Sequence, residues 1–326
     1  MKLATYILGK QSRVGVIEGK SVVDARAAID LARGRKGPKS LYGITRFKQA
    51  ASTLADAGLA PREMKDALEA GDEWLKALSI VAKGFNKELK GATAAPFKGL
   101  IVPLAAVRLG PPVARPGKIT CVGLNYADHA REQGIEPPAS PIFFLKSANT
   151  ISGPGDPIVL PPNSDQIDFE AEFAVVLGRS GRRISEEKAY EHVAGYMILH
   201  DVTARDMQQE DKQWFRGKSC DTFAPTGPWI ATKDDVPDPH SLNISCSVNG
   251  VTMQDSNTCN LIFKVPYLIS YLSQSVQWEA GDLLSTGTPP GVGVFRKPPI
   301  FLKAGDTVSV TVEKLGTLTN PVVGPE

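Results

Sequence analysis

Asp168-Phe169-Glu170-Ala171-Glu172-Phe173-Ala174-Val175-Val176-Leu177-Gly178 is the stretch on which the reading of this chain turns. Its apolar half, from Phe173 to Leu177, is rich in β-branched and aromatic residues and closes on a glycine, the pattern of a buried strand. Side chains alternate faces along a strand, so Glu170 and Glu172 point one way while Phe169, Ala171 and Phe173 point the other. Two carboxylates about 7 Å apart, beside so apolar a run, are costly unless a cation compensates them. Downstream, the apolar run 194–199 ends in His200-Asp201, and an adjacent strand would bring this third carboxylate to the pair. Two readings stand at this point. Either Glu170, Glu172 and Asp201 hold a metal ion, or the two glutamates lie on a solvated sheet face paired with Lys or Arg. All-oxygen ligands favour Mg²⁺, Mn²⁺ or Ca²⁺ over zinc, as does a count of only 4 histidines with neither H-x-x-x-H nor H-E-x-x-H.

Around this strand, short β-branched runs punctuated by Gly and Pro fill the chain from 119 to the end: 119–122, 142–145, 158–160, 193–199, 244–248, 283–285 and 307–313. Helical patterns interrupt them at 186–192 and 262–273. Strands at this spacing predict a closed or rolled sheet. Before residue 119 the character differs. Residues 3–25 alternate around Glu18-Gly19 as hairpin strands, and 44–81 turn helical with breaks near Gly58 and Pro61. Pro96, Pro103, Pro111, Pro112 and Pro116 mark a linker, which divides the chain into 1–115, a small N-terminal domain, and 116–326. The expected class is α+β, mainly β.

Composition narrows the function classes. The chain has 326 residues, 42% of them hydrophobic and 22% charged, with a net charge of +2, which is ordinary for a globular protein and uninformative about partners. No Lys/Arg run interleaves with aromatics, so no nucleic-acid partner is expected, and the densest basic cluster (Arg33, Arg35, Lys36, Lys39) reads as a solvated loop. No apolar stretch is long enough to span a bilayer, so no membrane partner is expected, and residues 1–9 do not carry a secretory pattern. Cys121, Cys220, Cys246 and Cys259 form no C-x-x-C pair and fit reduced thiols, so a cytoplasmic location is expected.

Two further segments carry chemistry. In Gly123-Leu124-Asn125-Tyr126-Ala127-Asp128-His129-Ala130-Arg131-Glu132-Gln133-Gly134, Asn125 reads as an N-cap and Gly134 as the stop of a short helix. His129 and Glu132, at i and i+3, share a face. A carboxylate beside imidazole raises its basicity, as a general base requires, although an ordinary surface His–Glu pair has the same spacing. Thr286-Gly287-Thr288-Pro289-Pro290-Gly291-Val292-Gly293 is a glycine-rich loop whose N–H groups suit a carboxylate, or a plain turn. Neither this loop nor Gly217-Lys218-Ser219 has the spacing of a nucleotide-binding P-loop.

In their order, these segments resemble the fumarylacetoacetate hydrolase superfamily, in particular its acylpyruvase and 2-hydroxyhepta-2,4-diene-1,7-dioate isomerase-like branch. The resemblance runs from about residue 118 to 321. It is carried by Val122-Gly123-Leu124-Asn125-Tyr126 with His129 and Glu132, by Phe144-Leu145-Lys146, and by Asp168 to Glu172. Asp201-Val202-Thr203-Ala204-Arg205-Asp206-Met207-Gln208, Gly217-Lys218-Ser219 with Asp221-Thr222-Phe223, and the loop 286–293 complete it. The resemblance implies a mixed β-roll catalytic domain behind a smaller α/β domain, usually as a homodimer. It implies Mg²⁺ or Mn²⁺ on Glu170, Glu172 and Asp201, with Ca²⁺ as a further hard ion. Lys218 would neutralise an enolate or carbonyl oxygen. Arg205, Gln208, Thr288 and the Gly287 loop would hold a substrate carboxylate, with Lys146 at the pocket edge, while His129 and Glu132 would activate water. The substrate class so implied is a small keto acid, and the first expectation is hydrolysis of a C–C bond in an acylpyruvate or fumarylpyruvate type of diketo acid. The alternative is a lyase or isomerase of the same superfamily, acting as an oxaloacetate-type decarboxylase or on a hydroxymuconate-type acid of aromatic breakdown. Product analysis separates these, because an unchanged carbon skeleton is incompatible with hydrolysis.

Overall fold

Two glycine turns, Gly9 (φ +63°) and Gly19 (φ +62°), fold the start of the chain into antiparallel strands Lys2–Leu8, Gln11–Glu18 and Ser21–Asp24. The computed structural model describes residues 1–34, 37–89 and 99–325. Asp24 ends the third strand and caps helix Ala25–Arg33, its carboxylate accepting from the Ala27 N–H at 2.7 Å and from the Tyr6 hydroxyl at 2.5 Å. The helical pattern predicted over 44–81 becomes Thr45–Asp56, Met64–Glu69 and Gly71–Leu89, interrupted where Gly58 and Pro61 stand. Phe47, Leu54, Trp74, Leu78 and Phe85 on these helices are buried in one core with Leu3, Val16 and Val23 of the hairpin strands. Helix Ala25–Arg33 went unread in the sequence. Its Arg33 is not a solvated loop residue as predicted: its guanidinium donates to the Leu59 carbonyl at 2.9 Å and ties two helical segments together. Lys39 opens the helix Lys39–Tyr42, and Arg35, Lys36 and Pro96 lie outside the described residues.

The proline-rich stretch contributes two short strands. Ile101–Pro103 pairs with Ser21–Asp24 at the sheet edge, where a proline without an N–H is tolerated, and Arg108–Leu109 pairs with Lys2–Leu8. From this edge the large sheet continues through Lys2–Leu8 to Ala224–Thr232, then Val193–His200, Ala171–Leu177, Leu283–Ser285, Ile119–Gly123 and Ile142–Lys146. A second sheet orders Val251–Asn257, Asn243–Val248, Thr307–Val312, Gly316–Val323 and Ile158–Val159. Between the two sheets Phe173, Tyr196, Ile244, Trp278 and Val310 are fully buried, and the rings of Phe173 and Tyr196 stack with centroids 5.1 Å apart. Each large apolar side chain buried there contributes about 1.5–3 kcal/mol. The expected α+β, mainly β class with a β-roll catalytic part is what the chain adopts. Strands Ala224–Thr232, Val251–Asn257 and Gly316–Val323 were not foreseen. Pro225, Pro228 and Pro321 break the first and last runs, and Thr, Gln and Asn dilute the alternation elsewhere.

Among the described residues no helix is long and apolar enough to cross a membrane. All 4 cysteines are free thiols.

Candidate active site

Strand Ala171–Leu177 pairs antiparallel with Val193–His200, Ala171 opposite His200. That register carries Asp201 back to the glutamates, and its N–H donates to the Glu170 carbonyl at 2.9 Å. One carboxylate oxygen from each of Glu170, Glu172 and Asp201 lies within 4.8 Å of the others, and all three residues are buried. The sequence placed Glu170 and Glu172 on one face, and strand pairing brings Asp201 to them.

The face is buried, and yet it is also paired with cations. Lys218 Nζ lies 2.6 Å from Glu170 and 2.6 Å from Asp201. Lys146, expected at the pocket edge, is instead buried beneath the triad, 2.7 Å from Asp201 and 3.1 Å from the Val202 carbonyl. Arg205 donates to Asp168 at 2.8 Å, to Glu170 at 2.5 Å and to Gln208 at 3.0 Å. Glu172 differs from the other two acids: it accepts from the Ser285 hydroxyl and from the Gly287 N–H at 3.0 Å, with no Lys or Arg against it among the described residues. Thr288 spans the Ala171 carbonyl (3.0 Å) and the Gln254 amide (2.9 Å), so it braces the strand that carries the glutamates.

Electrostatics follow this pairing. Burial would raise the Glu170 carboxyl, but Arg205 and Lys218 outweigh it and hold the group well below its usual range. Burial, reinforced by the Asp201 and Glu170 charges, pushes Glu172 well up. His200 is kept neutral, its pKa pushed down to about 3 by burial and by the Lys146 charge. When Glu172 is ionised, as a metal ligand would be, Asp168, Glu170, Glu172 and Asp201 outnumber Lys146, Lys218 and Arg205. Hard oxygen donors in close mutual reach, a negative excess and an acid without a cationic partner fit a divalent cation.

A cavity of about 460 Å³ opens over the cluster, lined by His129, Arg205, Lys218, Trp214 and Phe295 among others. His129 Nδ1 lies 2.9 Å from Glu132, and the Phe295 ring stands 5.8 Å from the imidazole. Burial would raise the Glu132 carboxyl, but the His129 ring and the Gly291 N–H (2.9 Å) hold it below its ordinary value. The helix, Ala127–Gln133, begins at Tyr126 and ends on Gly134 at φ +66°. Asn125 is not its N-cap as predicted. Its amide donates to the Thr286 and Phe263 carbonyls and accepts from the Phe263 N–H, bracketing three segments behind the site. Asp128 anchors the helix, accepting from Ser256 at 2.5 Å and Asn260 at 3.0 Å.

The glycine loop links the two halves of the site. Gly291 meets Glu132 while Gly293 and Val294 donate to Asp168 at 2.6 and 3.1 Å, and Asp168 in turn holds Arg205. Asp168, Gln254 and Arg296, whose guanidinium donates to the Gly291 and Met253 carbonyls, build this support and were given no role from the sequence. A buried arginine needs a carboxylate, and Asp168 in the same motif was the available signal. Gly291 sits at φ +96°, and a Cβ there would lie 2.3 Å from the Met253 carbonyl. Gly291→Ala is therefore expected to displace the loop from Glu132. It should lower kcat roughly 10-fold or more, as a misplaced base does, with a melting temperature reduced by a few degrees. Steady-state kinetics at wild-type values would show that Glu132 does not depend on the loop.

Residues 118–323 match the family model described as fumarylacetoacetate (FAA) hydrolase C-terminal. The chain belongs to the fumarylacetoacetate hydrolase family. It is 49% identical over 265 residues to the mitochondrial oxaloacetate tautomerase FAHD2A of Bos taurus, covering 81% of this chain and 80% of the relative. Two solved structures resemble it over nearly its whole length. The fumarylacetoacetate hydrolase of psychrophilic Exiguobacterium antarcticum has a TM-score of 0.76 at 31% identity, with 99% of each chain covered. The 5-carboxymethyl-2-hydroxymuconate delta-isomerase of Mycobacterium smegmatis has a TM-score of 0.70 at 32% identity, with 100% of each covered. The chain is thus an enzyme of a superfamily that holds both hydrolases and isomerases. The cytoplasmic expectation is overturned by the relatives, which are mitochondrial proteins by name. Reduced thiols exclude only oxidising compartments, and the cysteine argument could carry no more than that.

Proposed function

We propose that this enzyme is a metal-dependent tautomerase of a small 2-oxo dicarboxylic acid of the oxaloacetate type, which interconverts its enol and keto forms. The 49% identity to an oxaloacetate tautomerase carries this choice over hydrolysis, and the site offers the means. Glu170, Glu172 and Asp201 would hold Mg²⁺ or Mn²⁺, which when bound supplies Lewis acidity to the carboxylate and 2-oxo oxygens of such an acid. His129 is the proton carrier. With Glu132 at Nδ1, that nitrogen bears the hydrogen and Nε2 keeps the open lone pair. It takes the enol proton from oxygen, and one proton is delivered to the adjacent carbon, so composition is unchanged. Lys218, kept charged by Asp201 and Glu170 despite its burial, holds positive charge close to the oxygen on which negative charge develops.

Hydrolysis of a diketo acid, the first expectation from the sequence, would use the same dyad to activate water, and the Exiguobacterium hydrolase speaks for it. NMR of the products decides. Enol oxaloacetate, oxaloacetate and a panel of acylpyruvates are each incubated with the Mg²⁺-loaded enzyme and again with EDTA. Metal-dependent acceleration of enol-to-keto conversion with the skeleton intact is expected. Release of pyruvate and a carboxylic acid instead would establish the hydrolase, and activity indifferent to EDTA would remove the metal from the reading.

A further inference from the structure

We propose that Lys212 reads the far carboxylate of the substrate and makes this pocket selective for dicarboxylic over monocarboxylic 2-oxo acids. The proposal deepens the tautomerase reading and rests on it for the end of the acid that meets the carboxylate cluster. Arg205, Lys212 and Lys218 are the cations lining the cavity. Arg205 is committed to Asp168, Glu170 and Gln208, and Lys218 to Glu170 and Asp201. Lys212 makes no ion pair among the described residues and stands exposed at the cavity wall. The neighbouring Arg216 does not compete for this role: Glu210 and Asp211 hold it at 2.9 and 2.6 Å, and it is absent from the lining.

The position of Lys212 is built rather than incidental. Helix Arg205–Asp211 begins with the arginine engaged at the acidic centre and ends in Lys212. Lys212 adopts a left-handed conformation (φ +59°), which a non-glycine residue holds only with support from its surroundings. That support is next door. The Trp214 ring packs so closely on Gly123 that a Cβ there would approach to 2.5 Å, and it meets Phe144 edge-on at 5.2 Å. One helix therefore sets an arginine at the centre and a free lysine roughly 10 Å along its axis. The long lysine side chain can close the remaining gap to the second carboxylate of a small diacid. Gln133 and Gln209 line the same cavity as neutral hydrogen-bond donors, and among the described residues its lining acids are Glu170 and Glu172, both at the carboxylate cluster.

The test compares oxaloacetate with its 4-methyl ester, which keeps the chelating end and loses the far charge. Calorimetric binding and KM are measured on the metal-loaded wild type, Lys212→Gln and Lys212→Arg. The wild type should prefer the diacid about tenfold, the size of a partly exposed charge-assisted contact. Lys212→Gln should erase that preference and Lys212→Arg should restore most of it. If Lys212→Gln still prefers the diacid as the wild type does, or the wild type shows no preference, the assignment is overturned. Discrimination in binding without any enol-to-keto turnover would sink the tautomerase reading and leave Lys212 standing. Binding of neither compound would sink both.

Discussion

Glu172→Gln should give a protein that folds at least as well as the wild type in the absence of metal and has lost nearly all activity. The substitution keeps size and shape. The amide oxygen still accepts from the Ser285 hydroxyl and the Gly287 N–H, so no donor is orphaned. What disappears is a buried carboxyl whose ionisation is opposed by burial and by the Asp201 and Glu170 charges, with no Lys or Arg at ion-pair distance among the described residues. An acid whose pKa is raised on folding costs stability once the unfolded group ionises, so removing it relieves the metal-free protein at neutral pH by about 1 kcal/mol, or about 2 °C in melting temperature. The same change deletes a hard ligand, so Mg²⁺ should no longer raise the melting temperature, and kcat/KM should fall roughly 10²–10³-fold. Differential scanning calorimetry with and without Mg²⁺ reads both effects. A metal-free melting temperature several degrees below wild type would mean that Glu172 is stabilising as a carboxylate, and the negative excess assigned to this cluster would be wrong.

The parts of this site that could be read from the sequence are those governed by local geometry. Strand alternation alone puts Glu170 and Glu172 on one face, and helical spacing alone puts His129 against Glu132. The third carboxylate was legible because Asp201 ends an apolar run. The compensating cations were not. Lys218 lies 48 residues from Glu170 and Lys146 lies 55 from Asp201, and no local rule relates positions so far apart. The two readings of the glutamates prove to be less opposed than the sequence suggested: Glu170 is paired with Arg205 and Lys218, as the solvated-face reading required, but in a buried site where Glu172 has no such partner among the described residues. In the fold the same division holds. The hairpin turns at Gly9 and Gly19 and the helix breaks near Gly58 and Pro61 are chemical and local. The strand Ala224–Thr232 contains Pro225 and Pro228 and exists because Lys2–Leu8 and Val193–His200 flank it, a fact of tertiary pairing.

Lys218→Met should have the opposite sign to Glu172→Gln in stability and the same sign in activity. Methionine keeps the length of the side chain and gives up the ammonium, whose Nζ stands 5.0 Å from the centroid of the Phe144 ring. It removes the ammonium that sits 2.6 Å from both Glu170 and Asp201. Both carboxylates are then undercompensated, with only Arg205 left on Glu170 and Lys146 on Asp201. Stripping one partner from a buried ion network costs about 3–5 kcal/mol, and denaturant unfolding of the metal-free protein should show a loss of that order. Mg²⁺ should restore part of it, because the ion would sit against the same carboxylates, so the Mg²⁺-dependent gain should be larger in the variant than in the wild type. Activity should nevertheless stay low, by roughly 10²–10³-fold, since the metal cannot replace a charge aimed at the substrate oxygen. A variant as stable as the wild type, with an unchanged response to Mg²⁺, would show that Lys218 contributes no compensation. If both predictions hold, two substitutions of one cluster shift metal-free stability in opposite directions. Loss of generic packing cannot produce that result, whereas a site that falls one positive charge short of balance when Glu172 ionises does.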